Sequence, residues 1–368
     1  MTNPATHSLS EFQIAMRTFR KNRLAMLCVM ILGALYFSAI FAGFLSPYSF
    51  KSERREHSYA PPTRIHFVDE SGEFGWPFVY GIKLSFDEYY KRIYQEDRSV
   101  KYPVQLFNHG DEYKFLGLVP MNIHLWGVEE GGAVYLLGAD NRGRDLLSRI
   151  LWGGRVSLSI GLIGVAISFS IGLIFGGISG YYGGWIDNVL MRVAEMVMMV
   201  PGFYLLLALR AAVPPEFSSV QVYIAIVVIL SFIGWAGLAR IIRGMCLSLR
   251  EREFVLAAKS IGLSDFSIII RHILPHTLSY SIFAVMLSIP GYILGESALS
   301  LLGLGIEDPY SSWGLLLADA MSIVKIRFYP WILIPAFFIF LTIISFNVIG
   351  DALRDALDPM MKAEGQRS

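Results

Sequence analysis

The chain has few of the residues on which soluble and secreted proteins depend. Only 17% of its 368 residues are charged, whereas a soluble domain has about 25%. It has two cysteines, Cys28 in an apolar run and Cys246 in a polar stretch, and this separation suggests neither a disulfide nor a metal site. The net charge of +1 gives no reason to expect a nucleic-acid partner. A charged soluble domain, a disulfide scaffold and a nucleic-acid-binding protein are therefore excluded.

Two chemical signatures are also missing from the sequence. No G-x-x-x-x-G-K-[ST] loop for nucleotide phosphates occurs. The histidines between residues 46 and 139 lack the spacing of metal ligands. We therefore expect no catalytic residue, no metal site and no cofactor in this chain, so that any ATP and magnesium would be bound by a partner.

What the chain has instead is apolar sequence. Hydrophobic residues make up 54% of it, which predicts an all-α polytopic membrane protein. The first apolar run, 24–45, has 22 residues, enough to cross about 30 Å of hydrocarbon. Further spans are predicted at 156–181, 194–213, 222–238, 278–304 and 332–349. The second contains Gly172, Gly176 and Gly180, a spacing that lets helices approach closely.

Basic residues give these spans an orientation. Four precede the first span, namely Arg17, Arg20, Lys21 and Arg23, and the loop 240–275 has six against three acids. Since basic loops stay in the cytoplasm, both counts place the segment 1–23, the loop and the tail 351–368 inside. Six spans with both ends cytoplasmic satisfy both counts.

The segment 46–139 is soluble in character and separates the first span from the rest, a core of residues 140–350. Strand-like runs occur at 102–107, 114–119, 123–128 and 133–137, with turns predicted at 108–111 and 130–132. We predict a small β-rich extracytoplasmic insert. It would act as structural cover or as a docking site for a partner, or else contact substrate directly.

The polar stretch 252–275 predicts two short helices with a bend. The first carries Phe254, Ala258 and Ile261 at the spacing of one helix face. Gly262 stands where a left-handed cap falls, Ser264-Asp265 can begin the second helix, and Pro275 marks the start of the next span. An apolar stripe outside the bilayer favours docking into a partner groove, although an ordinary interhelical loop has the same pattern.

This stretch resembles the cytoplasmic EAA loop of bacterial ABC importer permeases. The matching positions are Ala257, Ala258, Gly262, Leu274 and Pro275. Leu256 replaces the usual acid and His272 a common apolar residue. The resemblance implies that the loop, with Phe254 and Leu256, is the coupling helix that docks on the ATPase subunit.

A second segment, GADNRGRDLLSRI, resembles the G-T-D-x-x-G-R-D-x-x-S-R signature of dipeptide and oligopeptide ABC permeases. The matching positions are Asp140, Gly143, Arg144, Asp145, Ser148 and Arg149, and Ala139 replaces the threonine. Its charges predict a place at the outer interface, where residues 146–151 could lie along the surface. A plain interfacial helix with i,i+4 ion pairs is the alternative.

Glu296 lies within the fifth predicted span, in the stretch ESALSLLGLGI, which again resembles the peptide-class permeases. A carboxylate at membrane depth usually faces protein or water, so Glu296 is a candidate for the translocation pathway. The alternative is a carboxylate at a helix end near the outer interface, hydrogen-bonded to the neighbouring backbone.

Together these resemblances imply one permease subunit of a type I ABC importer of the dipeptide, oligopeptide or nickel class, in a bacterial inner membrane. They imply four partners, namely a second permease in a heterodimer, two ATPase subunits and an extracytoplasmic solute-binding protein. Peptides are the expected cargo, with oligosaccharides or nickel complexes as alternatives. Two other classes remain, a proton-coupled transporter using Glu296 and an assembly or sensor protein anchored by its spans.

Overall fold

The computed structural model describes residues 11–69, 72–88 and 92–357. These residues form a bundle of long helices and one antiparallel sheet. The helices are α1 Glu11–Lys21, α2 Arg23–Ile40, α3 Ala42–Leu45, α4 Leu146–Tyr182, α5 Gly184–Met199, α6 Gly202–Ala211, α7 Ser219–Leu249, α8 Glu253–Ser260, α9 Asp265–Ile268, α10 Leu274–Leu301, α11 Trp313–Leu316, α12 Ile323–Phe328 and α13 Ile334–Leu357. The segments predicted at 1–23 and 351–368 fall only partly within the described residues.

Among the described residues, five helices are long and apolar enough to cross a membrane: α2, α4, α7, most of α10, and α13 with the turn before it. The span predicted at 194–213 is not one continuous helix. Its residues belong to α5 and α6, which are bent by 85° at a short break. Pro201 lies in this break, where its ring cannot continue the helix. The count is therefore five spans, or six if the bent pair crosses as one.

The second predicted span and the segment before it form one helix. α4 has 37 residues and is about 55 Å long at 1.5 Å per residue, longer than the hydrocarbon core. Residues 146–151 are its first turns and do not lie along a surface, because Leu146 and Ile150 are buried at 2% and 1% exposure. The prediction that this amphipathic part lies along the surface is therefore wrong.

The glycine spacing on α4 is confirmed as a close helix contact. A Cβ at Gly172 would lie 2.8 Å from Leu238 Cβ, and one at Gly180 would lie 2.5 Å from Cys246 Cβ. No side chain fits at those distances, so α4 and α7 pack backbone to backbone. The pair forms the centre of the bundle.

The insert is a four-stranded antiparallel sheet in the order β1-β2-β3-β4. The strands are β1 His66–Val68, β2 Phe74–Phe86, β3 Arg92–Phe115 and β4 Val119–Val128. β3 is long enough to pair first with β2 and then, beyond Pro103, with β4. The prediction of β structure is confirmed, and so is the turn at 130–132, where Gly131 has a φ of +94°.

Several details of the predicted strands are wrong. The turn predicted at 108–111 lies inside β3, where the register shifts at a bulge. The true turn interrupts the strand predicted at 114–119, and residues 133–137 form no strand. β1 and β2 are not predicted. β2 does have an apolar residue at every second position from Phe74 to Phe86, but Gly75, Pro77 and Gly81 lie between them, and glycine and proline are depleted in strands.

The N-terminal segment is not merely polar. α1 packs against the end of α13, and its Ala15 and Phe19 share a buried cluster with Ala352 and Ala356. The two ends of the described chain therefore lie on the same side of the bundle. The loop between α7 and α10 lies on the same side as these two ends if α5 and α6 together form one membrane span. If they do not, the loop lies on the opposite side.

Candidate functional site

The bend in the polar stretch has the geometry of a Schellman cap. Gly262 has a φ of +83°, as predicted. Its N–H donates to Lys259 O at 3.0 Å, and the N–H of Leu263 donates to Ala258 O at 3.2 Å. The hydroxyl of Ser264 then accepts from Ser267 N at 3.4 Å and begins α9. The two predicted helices are confirmed as α8 and α9.

The predicted stripe on α8 is divided between two faces. Ala258 is buried at 3% exposure beside Val255, and both pack on Ile242 and Cys246 of α7. Ile261 instead points outward at 77% exposure. The stripe is therefore wrong as a single surface, because Ala258 holds α8 onto the bundle.

We call the outward residues of this bend the exposed apolar face. They are apolar, and they follow one another around the bend from α8 to α9. Their exposures are Phe254 37%, Leu256 52%, Ile261 77%, Leu263 36% and Phe266 73%. Ala257 is exposed beside them. Such a patch marks an interaction site on a folded chain.

The predicted loop 240–275 is shorter in the structure. Its first residues continue α7 to Leu249, and Leu274 and Pro275 are the first turn of α10. A π-helical segment, Ile269–Ile273, joins α9 to α10. The hydroxyl of Tyr181 at the end of α4 donates to Asp265 Oδ1 at 2.7 Å. α9 is thus fixed to two membrane helices.

At the other end of α4, four side chains form an ionic cluster: Asp140, Arg144 and Arg149, which are buried, and Asp308, whose side chain is 31% exposed. Arg144 donates to Asp140 Oδ2 at 2.8 Å and to Asp308 Oδ1 at 2.7 Å. Arg149 also pairs with both carboxylates, at 3.0 Å to Asp308 Oδ1. The Arg144 and Arg149 side chains are only 2% and 4% exposed. The cluster joins the turn before α4 to the loop after α10.

This arrangement is not the interfacial helix given as the alternative. Asp140 and Arg144 are an i,i+4 pair, but both lie in the turn before α4. Gly143 is required in this turn, since its φ is +74° and a Cβ would lie 1.8 Å from Arg54 O. The segment is a folded turn that is locked into the insert and the bundle.

Asp308 was missed by the sequence argument. The segment 140–149 has three arginines and two aspartates, and one of those aspartates caps a helix, so a further carboxylate was to be expected. Burial alone would raise the pKa of Asp308, but the hydrogen bond from Arg144 and the charges of Arg149 and Arg144 hold it below its usual range. Asp308 is therefore an anion at neutral pH.

Asp145 and Ser148 form the N-cap of α4. Asp145 Oδ2 accepts from Ser148 N at 2.7 Å and from Ser148 Oγ at 2.6 Å. Its other oxygen is buried without a hydrogen-bond partner. Burial raises the pKa of Asp145 to about 6, against the hydrogen bonds from Ser148. The N-cap has good hydrogen-bond geometry, but the buried negative charge of Asp145 lowers the stability of the fold.

This predicts different effects for two substitutions. Asp145→Ala should lower stability by about 1 kcal/mol, the usual cost of a lost N-cap. Asp145→Asn keeps the acceptor and removes the buried charge, so it should match or exceed the wild type. Because the folded pKa is raised, ionisation weakens the fold as pH rises from about 4 through 6. Thermal unfolding of the reconstituted chain should give Asp145→Asn its largest advantage above pH 6, and equal melting of both variants would contradict the cap.

Glu296 is fully enclosed in the bundle. Its exposure is 0%, Ser300 Oγ donates to Oε1 at 2.7 Å, and Ser157 Oγ donates to Oε2 at 3.2 Å. Ser157 Oγ also accepts from Trp313 N at 3.1 Å. Side chains that face a partner subunit are exposed when one chain is considered alone. Glu296 is not such a side chain, because it is buried within its own chain. Its contacts connect α4, α10 and α11.

The comparisons with known proteins concern nearly the whole chain. Residues 172–363 match the family described as binding-protein-dependent transport system inner membrane component. Residues 10–62 match the N-terminal TM domain of oligopeptide transport permease C.

Two relatives illustrate the match. The dipeptide transport system permease protein DppC of Bacillus subtilis is 32% identical over 96% of this chain and 88% of its own length. The oligopeptide transport system permease protein OppC of Haemophilus influenzae is 45% identical over 61% of this chain and 70% of its own length.

Proposed function

Because the chain belongs to the family of binding-protein-dependent transport system inner membrane components, we propose that it is a permease subunit of an ATP-driven peptide importer. Relatives of this chain carry the names of dipeptide and oligopeptide permeases, which supports peptides as cargo. The chain itself performs no covalent chemistry in this proposal. ATP and magnesium are bound by its partners.

The observation that carries the proposal is the exposed apolar face. Phe254, Ile261 and Phe266 expose large apolar side chains at a fixed bend, and the bend is held by the Schellman cap and by Tyr181. An apolar helix end that is rigidly connected to membrane helices fits a groove in a soluble subunit. We assign this groove to an ATPase subunit.

The mechanism follows from how the face is attached. A displacement of α8 is transmitted to α7 through Val255 and Ala258, and a displacement of α9 reaches α4 through the hydrogen bond between Asp265 and Tyr181. α4 and α7 have no room for independent sliding at Gly172 and Gly180. Closure of the ATPase dimer on ATP would therefore move α4 and α7 together. This movement would shift the equilibrium between a pore open to the outside and a pore open to the cytoplasm.

The pore would form between this chain and a second, similar permease. The bent pair α5–α6 completes six spans in this proposal, with both ends of the chain in the cytoplasm. A solute-binding protein would deliver the peptide on the opposite side, where the insert lies. The ionic cluster and Glu296 would hold the outer loops on α4, rather than contact cargo.

The orientation gives a direct test. In a background without Cys28 and Cys246, Glu130→Cys in the insert should react with an impermeant maleimide added to intact cells. Ser260→Cys in the coupling bend should react only after the membrane is permeabilised. Both positions are exposed, so protection by folding does not confuse the result. The reverse pattern would contradict the topology.

Subunit composition tests the function itself. The chain, purified from its native membrane in mild detergent, should bring with it a subunit that binds and hydrolyses ATP. Addition of the peptide-loaded binding protein should stimulate hydrolysis in liposomes. Purification of the chain without any ATP-binding subunit would refute the proposal, and an intact complex stimulated by another solute would refute only the cargo.

A further inference from the structure

The turn between β3 and β4 has an unusual composition. We call residues 115–119 the hairpin tip. Leu116 and Gly117 have φ values of +51° and +78°, and Leu118 N donates to Phe115 O at 3.0 Å. Two successive positive φ values define the turn type that normally carries Asn-Gly or Asp-Gly. Here the first of these positions is a leucine.

The residues around this turn are also apolar and exposed. Leu118 is 83% exposed, Val119 54% and Leu116 52%. Three large side chains at the end of a hairpin gain nothing from water, and the backbone of Leu116 is held in a costly conformation. The composition is that of a surface which meets an apolar medium.

The structure places the hairpin tip beside the membrane helices. Leu116 and Gly117 line a cavity of about 420 Å³ together with Tyr36 of α2 and with Leu158 and Leu162 of α4, and Arg155 and Ser159 of α4 also line it. α2 ends at Ile40, and Tyr36 lies four residues before that end, about 6 Å down the helix axis. The tip therefore reaches past the end of α2 to the depth of a membrane span.

The hairpin is held rigidly in this position. The Phe115 ring lies 5.8 Å from that of Phe41, and the Phe107 ring lies 6.4 Å from that of Phe44. Trp126 Nε1 donates to Leu45 O at 3.1 Å. These contacts connect both strands of the hairpin to α3 and to the residue before it, so the depth of the tip is set by packing.

The neighbouring surface continues the apolar band of the spans. Phe37 and Ile40 on α2 are 55% and 50% exposed, and Leu162 on α4 is 45% exposed. Arg155 marks where the band ends, since Nε donates to Ala39 O at 2.6 Å and Nη2 to Ile40 O at 2.7 Å. A cation at the end of an apolar helix is typical of the boundary between acyl chains and headgroups.

We propose that the hairpin tip inserts into the leaflet at the end of α2, where lipid acyl chains cover Leu116, Leu118 and Val119. An apolar segment that enters by one helical turn matches the depth of about 5–10 Å at which interfacial elements bind. The insert is then fixed to the membrane at two places, through α3 and through lipid. The proposal rests on the assignment of α2 and α4 as spans, and it does not depend on the cargo.

Depth-dependent fluorescence quenching tests this proposal. Leu118→Cys, in a background with Cys28→Ala and Cys246→Ala, is labelled with an environment-sensitive dye. The chain is reconstituted with the subunits that copurify with it. Val119→Cys gives a second position on the tip. Val100→Cys, on the β3 bulge at 42% exposure, is the matched control in the same insert.

Lipids with a nitroxide near the headgroup should quench the dye at position 118 at least about twofold more than the dye at position 100. A nitroxide near the acyl terminus should quench position 118 less. Strong quenching by aqueous iodide would show a tip in water and refute the proposal. Protection from both lipid nitroxide and iodide would show that a partner protein covers the tip, and this also refutes it.

Discussion

Ile261→Asp and Phe266→Asp are each expected to release the ATPase subunit from the purified complex. Both side chains project from the bend, at 77% and 73% exposure, so a charge there does not disturb the bundle. In a docked complex each would be buried, and truncation of such a residue costs about 2 kcal/mol or more. The affinity should fall by at least about 30-fold for each change. Transport should stop, because the movement of the ATPase subunits during hydrolysis is no longer transmitted to the membrane helices.

The measurement is copurification together with peptide uptake in proteoliposomes. Ile323→Asp is the matched control, because Ile323 is an equally exposed isoleucine, at 83%, on α12 at the start of that helix. It should retain the ATPase subunit. Retention of that subunit by Ile261→Asp and Phe266→Asp at wild-type affinity would show that the face is not the coupling site.

Substitutions at Gly262 test the shape of the bend without changing its exposed apolar side chains. A Cβ at this position meets nothing within 4 Å, so only the φ of +83° limits substitution. Gly262→Val should uncouple hydrolysis from uptake in proteoliposomes, since a β-branched residue strongly disfavours positive φ. Gly262→Asn should be close to wild type, because asparagine tolerates this conformation. Normal coupling in Gly262→Val would show that the shape of the bend is not needed.

Arg144→Met is expected to have the largest effect on stability. It removes a cation that Asp140 and Asp308 share with Arg149, in a site where Arg144 is 2% exposed. Asp308 keeps a further contact with Arg142 at 3.4 Å, whereas Asp140 depends on Arg149 for its remaining ion pair. Removal of one partner from a buried ion pair costs about 3–5 kcal/mol. Thermal unfolding in nanodiscs should show a greatly lowered Tm and a reduced yield of folded chain.

Arg142→Met is the control for this change. Arg142 lies in the same turn and pairs with Glu53 at 2.9 Å and with Asp308 at 3.4 Å, but its side chain is 44% exposed. Water screens such a pair, so its loss should leave Tm nearly unchanged. If Arg144→Met and Arg142→Met melt at the same temperature as the wild type, the cluster does not hold the outer loops together.

Local features were predictable because their cause lies within a few residues. Gly262 follows the last turn of α8, and only glycine adopts a positive φ there at low cost. The spacing of Gly172, Gly176 and Gly180 likewise defined a close contact on one helix face. The apolar runs gave the spans, apart from the one that Pro201 divides.

Long-range features depended on the fold. Asp308 reaches Arg144 across 164 positions, and no local pattern connects them. The two faces of α8 could not be told apart in sequence, because Ala258 and Ile261 are both apolar and only packing on α7 decides which is buried. The bulges of β3 likewise depend on its two partner strands.

The sequence by itself determined that this chain spans a membrane, where most of its long apolar helices lie and where the polar stretch 252–275 bends. Hydrophobicity and backbone conformation act locally, so they can be read in chain order. The tertiary structure decided which apolar residues are left outside the bundle, how the ionic cluster closes, and that the hairpin tip lies beside α2. Those outcomes depend on which distant surfaces pack together, and packing is a property of the whole fold.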